Sequence, residues 1–374
     1  MIVRELEKII LGRIGKKKAI LILGARQVGK TTLVKKIVDD LDVNYLWLNG
    51  DEIDTRDKLT NATSTQLKNL FGKNQIIVID EAQRISNIGL TIKIAVDYFP
   101  EKQLIITGSS SFELSNILNE PLTGRKYEYN LFPLSFGEMV NHHGLTDEKR
   151  LFENRLIYGY YPDVINNPGD EIEHLNLITD SYLFKDILNW EKINKPVLLE
   201  KLVQALALQI GSEIKYNEIA QLIGADPVTV EKYIDLLERI FVVFRLTSLS
   251  RNMRNEIKKG KKIYFYDNGV RNALIKNFNP LSIRQDKGAL MENYIVSERV
   301  KRNHYKRNFV NAFFWRTVAK QEIDYIEEQN GVLTATEIKW NPKAKWKTPK
   351  AFLTAYPGSK INFIHKDNFE EFLL

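Results

Sequence analysis

An α/β fold built on a parallel sheet is predicted for the first third of this 374-residue chain, and three apolar runs predict it. The first, Ala19 to Leu23, leads into G-x-x-x-x-G-K-T at Gly24 to Thr31 and then into helix-compatible sequence. The second, IIVI at 76–79, ends in Asp80 and Glu81. The third, QLIITG at 103–108, ends in three serines beginning at Ser109. Short continuous apolar runs are the pattern of buried parallel strands, and such sheets place ligand chemistry at the carboxyl ends of their strands.

The length predicts two or three domains. With 44% hydrophobic and 27% charged residues, the composition is that of an ordinary globular chain. No apolar run approaches a membrane span, and MIVRELEKII carries acids where a secretion signal is apolar. The expectation is a protein without membrane association. Zero cysteines exclude disulfides and thiolate metal sites, and fit a cytoplasmic location. Of five histidines, His142 and His143 are adjacent, a poor chelating geometry, and read as loop residues.

Each chemical element of the first domain has a physical reason. Glycines at 24 and 29 let backbone N–H groups wrap an anion, and the following helix start adds a favourable partial charge. The cradle expected for ATP is Gly24, Ala25, Arg26, Gln27, Val28, Gly29, Lys30, Thr31 and Thr32. In it, Lys30 reaches the β- and γ-phosphates and Thr31 ligates Mg²⁺. Asp80 joins the Mg²⁺ shell and Glu81 polarises the attacking water. Ser109 suits a sensor beside the γ-phosphate, or else belongs to a Ser-rich turn. Arg125, after Gly124, has two readings: an arginine finger worth ~10³–10⁵ in rate, or a surface ion pair.

Taken together, GARQVGKTTL, IIVIDEAQRI, LIITGSSSFEL and LTGRKYEYNLFPLSFGEM resemble the bacterial and archaeal AAA+ ATPases that precede a C-terminal domain of unknown function, DUF4143. The resemblance spans nearly the whole chain. It implies an ASCE-type P-loop core and, by family habit, ring assembly and hence a homo-oligomer.

After a helical stretch around 147–190, residues 216–247 read as a helix-turn-helix. Ile219, Leu222 and Ile223 form an apolar face; Gly224 stops the first helix, Asp226 caps the second and Pro227 opens it. Val230, Ile234 and Leu237 point inward. Strands FVVFRL and KIYFYD complete a winged helix. Residues 251–310 hold 15 Lys+Arg against 5 Asp+Glu, which leaves a net −3 elsewhere. Such an excess fits a DNA backbone or a solvated basic face. The second helix is an unsuitable reader, because Glu231, Lys232, Asp235, Glu238 and Arg239 sum to −1. DNA would be met by the wing, through Arg251, Arg254, Lys258, Lys259, Lys261 and Lys262.

In the last part, Asn330–Gly331 is the preferred centre of a two-residue hairpin turn. Pairing about it sets Gln329 against Val332 and Asp324 against Glu337, with Lys339 one pleat away and Glu322 opposite that lysine. Two facing carboxylates repel unless a cation lies between them; Lys339 or Mg²⁺ can supply it. The D…E-x-K hairpin resembles the PD-(D/E)xK nucleases. That resemblance implies Asp324, Glu337 and Glu292 as metal ligands, with Lys339 catalytic. A solvated charged hairpin is the alternative reading. The expected division is an ATPase over 1–190, a winged helix over 191–267 and a smaller nuclease-like α/β domain over 268–374. The expected work is ATP-driven binding or remodelling of DNA, with cleavage by the last domain left open. An ATP-dependent switch that recruits a protein partner, its last domain silent, is the second expectation.

Overall fold

The computed structural model describes residues 1–109, 122–183, 196–250 and 260–374. These divide into two compact units, Met1–Leu134 with Arg239–Phe241, and the remainder.

The first unit holds a five-stranded sheet of β1 (Ala19–Leu23), β2 (Tyr45–Asn49), β3 (Ile76–Asp80), β4 (Gln103–Gly108) and β5 (Lys126–Asn130), in the order β2-β3-β4-β1-β5. Every pairing is parallel. The apolar runs behave as expected: each residue of β1 and β3 is buried. Insertion of β4 between β1 and β3 brings the phosphate-loop strand and the acidic strand one strand apart. Register then matters, because Leu23 lies opposite Gly108 and Ile79 opposite Ile106. The three carboxyl ends therefore finish close to one level, and their chemistry converges.

The loop at 24–29 is held from behind. Leu131 N–H donates to the Leu23 carbonyl at 2.6 Å, so the chain after β5 runs hard against the start of the loop. A Cβ on Gly24 would lie 2.1 Å from the Leu131 carbonyl oxygen. Gly29 has φ 91°, a left-handed conformation that opens the helix Lys30–Asp40. Buried Arg4 adds a clamp that no motif announced. Its Nη1 donates to the Val28 carbonyl at 2.6 Å and its Nη2 to the Phe132 carbonyl at 2.7 Å.

The second unit is built on a seven-stranded sheet. Its strands are β6 (Glu213–Ile214), β7 (Val243–Ser248), β8 (Lys261–Phe265), β9 (Asn311–Arg316), β10 (Glu322–Gln329), β11 (Val332–Lys339) and β12 (Lys360–His365), in the order β12-β11-β10-β9-β7-β8-β6. The expected boundary at 267 therefore crosses one continuous sheet. Parallel pairing of Thr247 with Phe313 and Ser248 with Phe314 joins its two halves. The expected boundary at 190 also differs from the division by contacts, which falls after Leu134. The helices between 136 and 183 pack into the second unit. His142 and His143 end the helix Phe136–His143, contrary to the loop reading, and His143 Nε2 lies 2.7 Å from Glu148.

Helices Tyr216–Ile223 and Pro227–Arg239 stand where the helix-turn-helix was expected, closed by Gly224 and capped by Asp226, which accepts from Thr229 N–H at 2.8 Å. Val230, Ile234 and Leu237 are fully buried. Leu222 is not part of the apolar face; it is 66% exposed. Within the expected wing, residues 251–259 lie outside the described residues.

Gly24→Ala should lower the stability of the first unit by about 1–3 kcal/mol, since the added methyl meets backbone that is itself hydrogen-bonded. Gly12→Ala, whose nearest neighbours to a Cβ are at 3.6 Å, is the control and should be near neutral in urea titrations. Arg4→Met should leave two buried carbonyls without their donor and cost about 2 kcal/mol or more. Nucleotide affinity should fall with it. Unchanged affinity would separate the clamp from the shape of the loop.

Candidate functional site

At the carboxyl ends of β1, β3 and β4, one hydrogen-bond chain links the residues singled out by sequence. Thr31 Oγ1 donates to Asp80 Oδ2 at 3.0 Å. Thr107 Oγ1 donates to the other oxygen of the same carboxylate, and itself accepts the Glu81 N–H at 3.2 Å. Asp80 is buried and so gains both hydroxyls as replacements for water. Thr107 was missed by sequence reasoning. The signal was present, because a threonine closing an apolar central strand must place its hydroxyl somewhere.

Lys30 is buried, and its ammonium donates to the carbonyls of Gly24 at 2.9 Å and Ala25 at 2.8 Å. It is thus folded onto the loop it serves, over the space the loop encloses. Glu81 has φ 50°, an uncommon conformation for a residue with a side chain, directly after β3. Gly50 permits it: Gly50 N–H donates to the Asp80 carbonyl at 2.8 Å, and a Cβ there would meet the Glu81 carbonyl oxygen at 2.4 Å. The Glu81 carboxylate accepts from Gln83 Nε2 at 2.5 Å, and the same amide reaches Ser109 Oγ at 2.9 Å. Gln83 was missed, since a glutamine in a short 3-10 turn carries no sequence signature.

Arg125 stands apart from this group. Ala19 N–H donates to its carbonyl, which puts Arg125 level with the start of β1, whereas the phosphate loop follows its end. Its guanidinium pairs with Asp97 at 2.6 Å, both side chains more than a third exposed.

A second cluster of charge lies in the other unit. The Asn330–Gly331 turn forms as expected, with φ 53° and 79°, and the ladder runs from Gln329–Val332 to Tyr325–Thr336. It stops before Asp324. On the other edge, Ile323 pairs with Trp315 and Ile326 with Phe313, so β10 bulges at Asp324–Tyr325. Bulges re-aim side chains. Asp324 Oδ2 accepts the Ile338 N–H at 2.9 Å. Lys339 pairs with Glu337 and lies 3.7 Å from Asp324. Glu322 does not serve Lys339, contrary to the hairpin expectation; it lies 2.5 Å from Lys262 and 3.6 Å from Arg316.

The main correction concerns Lys262, expected on the wing in contact with phosphates. It sits in β8, 1% exposed, with its ammonium 3.0 Å from Glu292, 2.5 Å from Glu322 and 3.9 Å from Asp324. Glu292, on the helix Lys287–Tyr305, also accepts from Tyr264 OH at 2.6 Å. Lys262 and Tyr264 are two apart on one strand and share that acid, a pleat pattern readable in KKIYF. Burial and the nearby Asp324 charge push Glu292 up to about 7, against the opposing pull of Lys262. Burial and Asp324 likewise push Glu337 up to about 7, against Lys339. Burial would depress Lys262, but the charges around it, Glu292 foremost, raise it well above the usual lysine range. One oxygen of Glu337 is buried with no hydrogen-bond partner.

The acids named for a metal thus gather around lysines. Among the described residues, no group of three or more His, Cys, Asp or Glu side chains is arranged to hold a metal ion. The set Asp324, Glu337 and Glu292 does not fit a divalent ion, because the Lys262 ammonium already lies against Glu292 and near Asp324, and Lys339 against Glu337.

Of the eleven described cations of 251–310, six pair with carboxylates inside the protein, Lys262 among them. Lys261 pairs with Glu231, Arg271 and Arg284 with Asp286, Arg299 with Glu327, and Lys301 with Glu298. Arg245 pairs with Asp235 and Glu238, which explains the acids on the second helix of the helix-turn-helix. No helix among the described residues is long and apolar enough to cross a membrane.

Comparison with known proteins agrees with the order of these parts. Residues 16–140 match an AAA domain, 149–281 a domain of unknown function, DUF8612, and 287–369 the domain of unknown function DUF4143. An uncharacterized protein of Haemophilus influenzae is 27% identical over 281 residues, covering 68% of each chain. One from Methanocaldococcus jannaschii is 22% identical over 370 residues, covering 92% of this chain and 80% of its own. Among solved structures, the Walker-type ATPase of Pyrococcus abyssi aligns with a TM-score of 0.50 at 15% identity, over 74% of this chain and 96% of that one. That likeness concerns the fold. With its P-loop parallel sheet followed by DUF4143, the chain joins an AAA ATPase domain to this C-terminal domain.

Proposed function

We propose that the chain is a Mg²⁺-dependent ATP hydrolase that works as a molecular switch on a macromolecular partner. The observation that carries this reading is the convergence of Thr31, Asp80 and Thr107 beside the loop 24–29. A threonine hydroxyl and a carboxylate are hard oxygen donors, and Mg²⁺ uses few protein ligands when phosphates and waters supply the rest. Thr31 and Asp80 fit that ion, which when bound neutralises charge on the phosphates. The backbone from Gly24 to Thr32 cradles the nucleotide. Lys30 exchanges the carbonyls of Gly24 and Ala25 for the β- and γ-phosphates, a substitution of stronger acceptors for weaker ones.

Glu81 orients and polarises the attacking water. Gln83 ties its carboxylate to Ser109, which supports Ser109 as the sensor, because a change at either end is felt at the other. Arg125 acts on the nucleotide of a second copy, since its own loop lies at the far end of β1. The homo-oligomer this requires would also have to break the exposed Arg125–Asp97 pair, worth at most about 1 kcal/mol. A cysteine-free ATPase of this kind works in the cytoplasm.

For the partner, the internal pairing of the basic segment supports a protein ahead of DNA. Six cations of 251–310 already have carboxylates, and DNA would compete for them. Leu222 and Val228, 66% and 76% exposed beside the turn of the helix-turn-helix, suit an apolar contact.

Lys30→Ala should lose nucleotide binding. Glu81→Gln should bind ATP with parent affinity and hydrolyse it about 10²-fold or more slowly. Parent-rate hydrolysis by Glu81→Gln would remove Glu81 as the base. For the partner, anisotropy of labelled duplex DNA should show no binding at ~0.15 M salt. Binding that weakens steeply with salt and is lost when Lys258 and Lys259 are both changed to Glu would restore the DNA reading.

A further inference from the structure

We propose that the Lys262 ammonium permanently takes the place of a divalent cation among Glu292, Asp324 and Glu337, so that the C-terminal domain neither binds metal nor cleaves DNA. The proposal is independent of the ATPase reading, because all its residues lie in the second unit.

The argument starts from charge. Glu292, Asp324 and Glu337 come from a helix and two strands, and each is buried to the point where its side chain is at most 15% exposed. Carboxylates drawn together out of water need a cation. A nuclease site supplies that cation from solution, as a metal that can exchange. Here the chain supplies it covalently. The Lys262 side chain is 1% exposed, 3.0 Å from Glu292 and 3.9 Å from Asp324, with Glu322 at 2.5 Å as a further acid. Pairing of β8 on both edges, with β7 and with β6, fixes its backbone, and the buried ion pairs hold its ammonium in place. Lys339 completes the neutralisation from the other side, on Glu337 and Asp324. A metal entering this cluster would meet a fixed positive charge within a few ångströms, where the low local dielectric makes the repulsion strong.

One unsatisfied group marks the arrangement as a substitute. Glu337 keeps a buried oxygen with no hydrogen-bond partner. An ammonium has three donors and a fixed stem, and Lys262 spends its reach on Glu292, Glu322 and Asp324. The Lys262 ammonium has no contact with that oxygen, so the lysine leaves it out.

The test is a gain of function. In Lys262→Met the side chain ends one atom short of the ammonium, which vacates the cation position while keeping the stem. Thermal melting of the full chain without nucleotide, with and without millimolar MnCl₂, reads the result. The parent should show no Mn²⁺-dependent shift. Lys262→Met should melt lower and recover several degrees with Mn²⁺, through binding to the folded state alone. That recovery should vanish in Lys262→Met combined with Asp324→Asn. If Lys262→Met does not fold, Lys262→Met with Glu292→Gln removes one charge of each sign and should fold with a smaller Mn²⁺ response. A parent stabilised by Mn²⁺ and desensitised by Asp324→Asn would overturn the proposal. So would a folded Lys262→Met, or its Glu292→Gln companion, that ignores Mn²⁺.

Discussion

A charge removed from water must find a partner before the chain can close over it, and this constraint organises both halves of the protein. In the first unit, Asp80 is accommodated by two hydroxyls and Lys30 by two carbonyls. These are weak partners for full charges. They leave the aspartate able to accept a metal and the lysine able to accept a phosphate, so the site is stable yet still unsaturated. In the second unit, acids meet lysines directly. A buried ion pair gains much from its partner and loses several kcal/mol when one side is removed, so such contacts are fixed. The two clusters differ in the strength of the partner the chain itself provides.

The legibility of the sequence follows the same line. Chemistry carried by short contiguous motifs was readable: β1 and the loop after it, β3 with its two acids, and the Asn330–Gly331 turn all stand where spacing put them. Interactions that join distant segments were not. Arg4 reaches Phe132 across 128 positions, and Gln83 reaches Ser109 across 26. Neither leaves a local pattern, since a single polar residue in a loop or at a helix start is compatible with many environments. Lys262 was misread for a related reason. Its neighbours Lys258, Lys259 and Lys261 made it look like part of a basic run, while the alternation Lys262–Tyr264 put it on a buried face.

Segment charge is an incomplete guide to the field around a folded chain. Counting 15 cations against 5 acids over 251–310 assumes that a segment is neutralised, if at all, from within itself. In the folded chain Glu231, Glu322 and Glu327 come from outside it. The negative balance of the remainder was the clue. A chain of net charge +7 that is basic in one stretch and acidic elsewhere has the means to neutralise that stretch by folding, and only charges without a folded partner form a field that a polyanion can feel.

The same pairing argues about how the second unit holds together. β7 belongs to the helix-turn-helix by sequence and to the C-terminal sheet by hydrogen bonding, through Thr247–Phe313 and Ser248–Phe314. Lys262 belongs to the strand after it and neutralises acids on the helix Lys287–Tyr305 and on β10. A chain cut at 267 would leave β9 as an open edge and Glu292 and Asp324 without their buried counter-ion. The two stretches matched as separate domains of unknown function therefore lie in one compact unit and share one sheet. The helix Pro227–Arg239 up to Glu238, β7 and the Asn330–Gly331 hairpin thus belong to one body, held together by a shared sheet and by ion pairs that cross the boundary at 267.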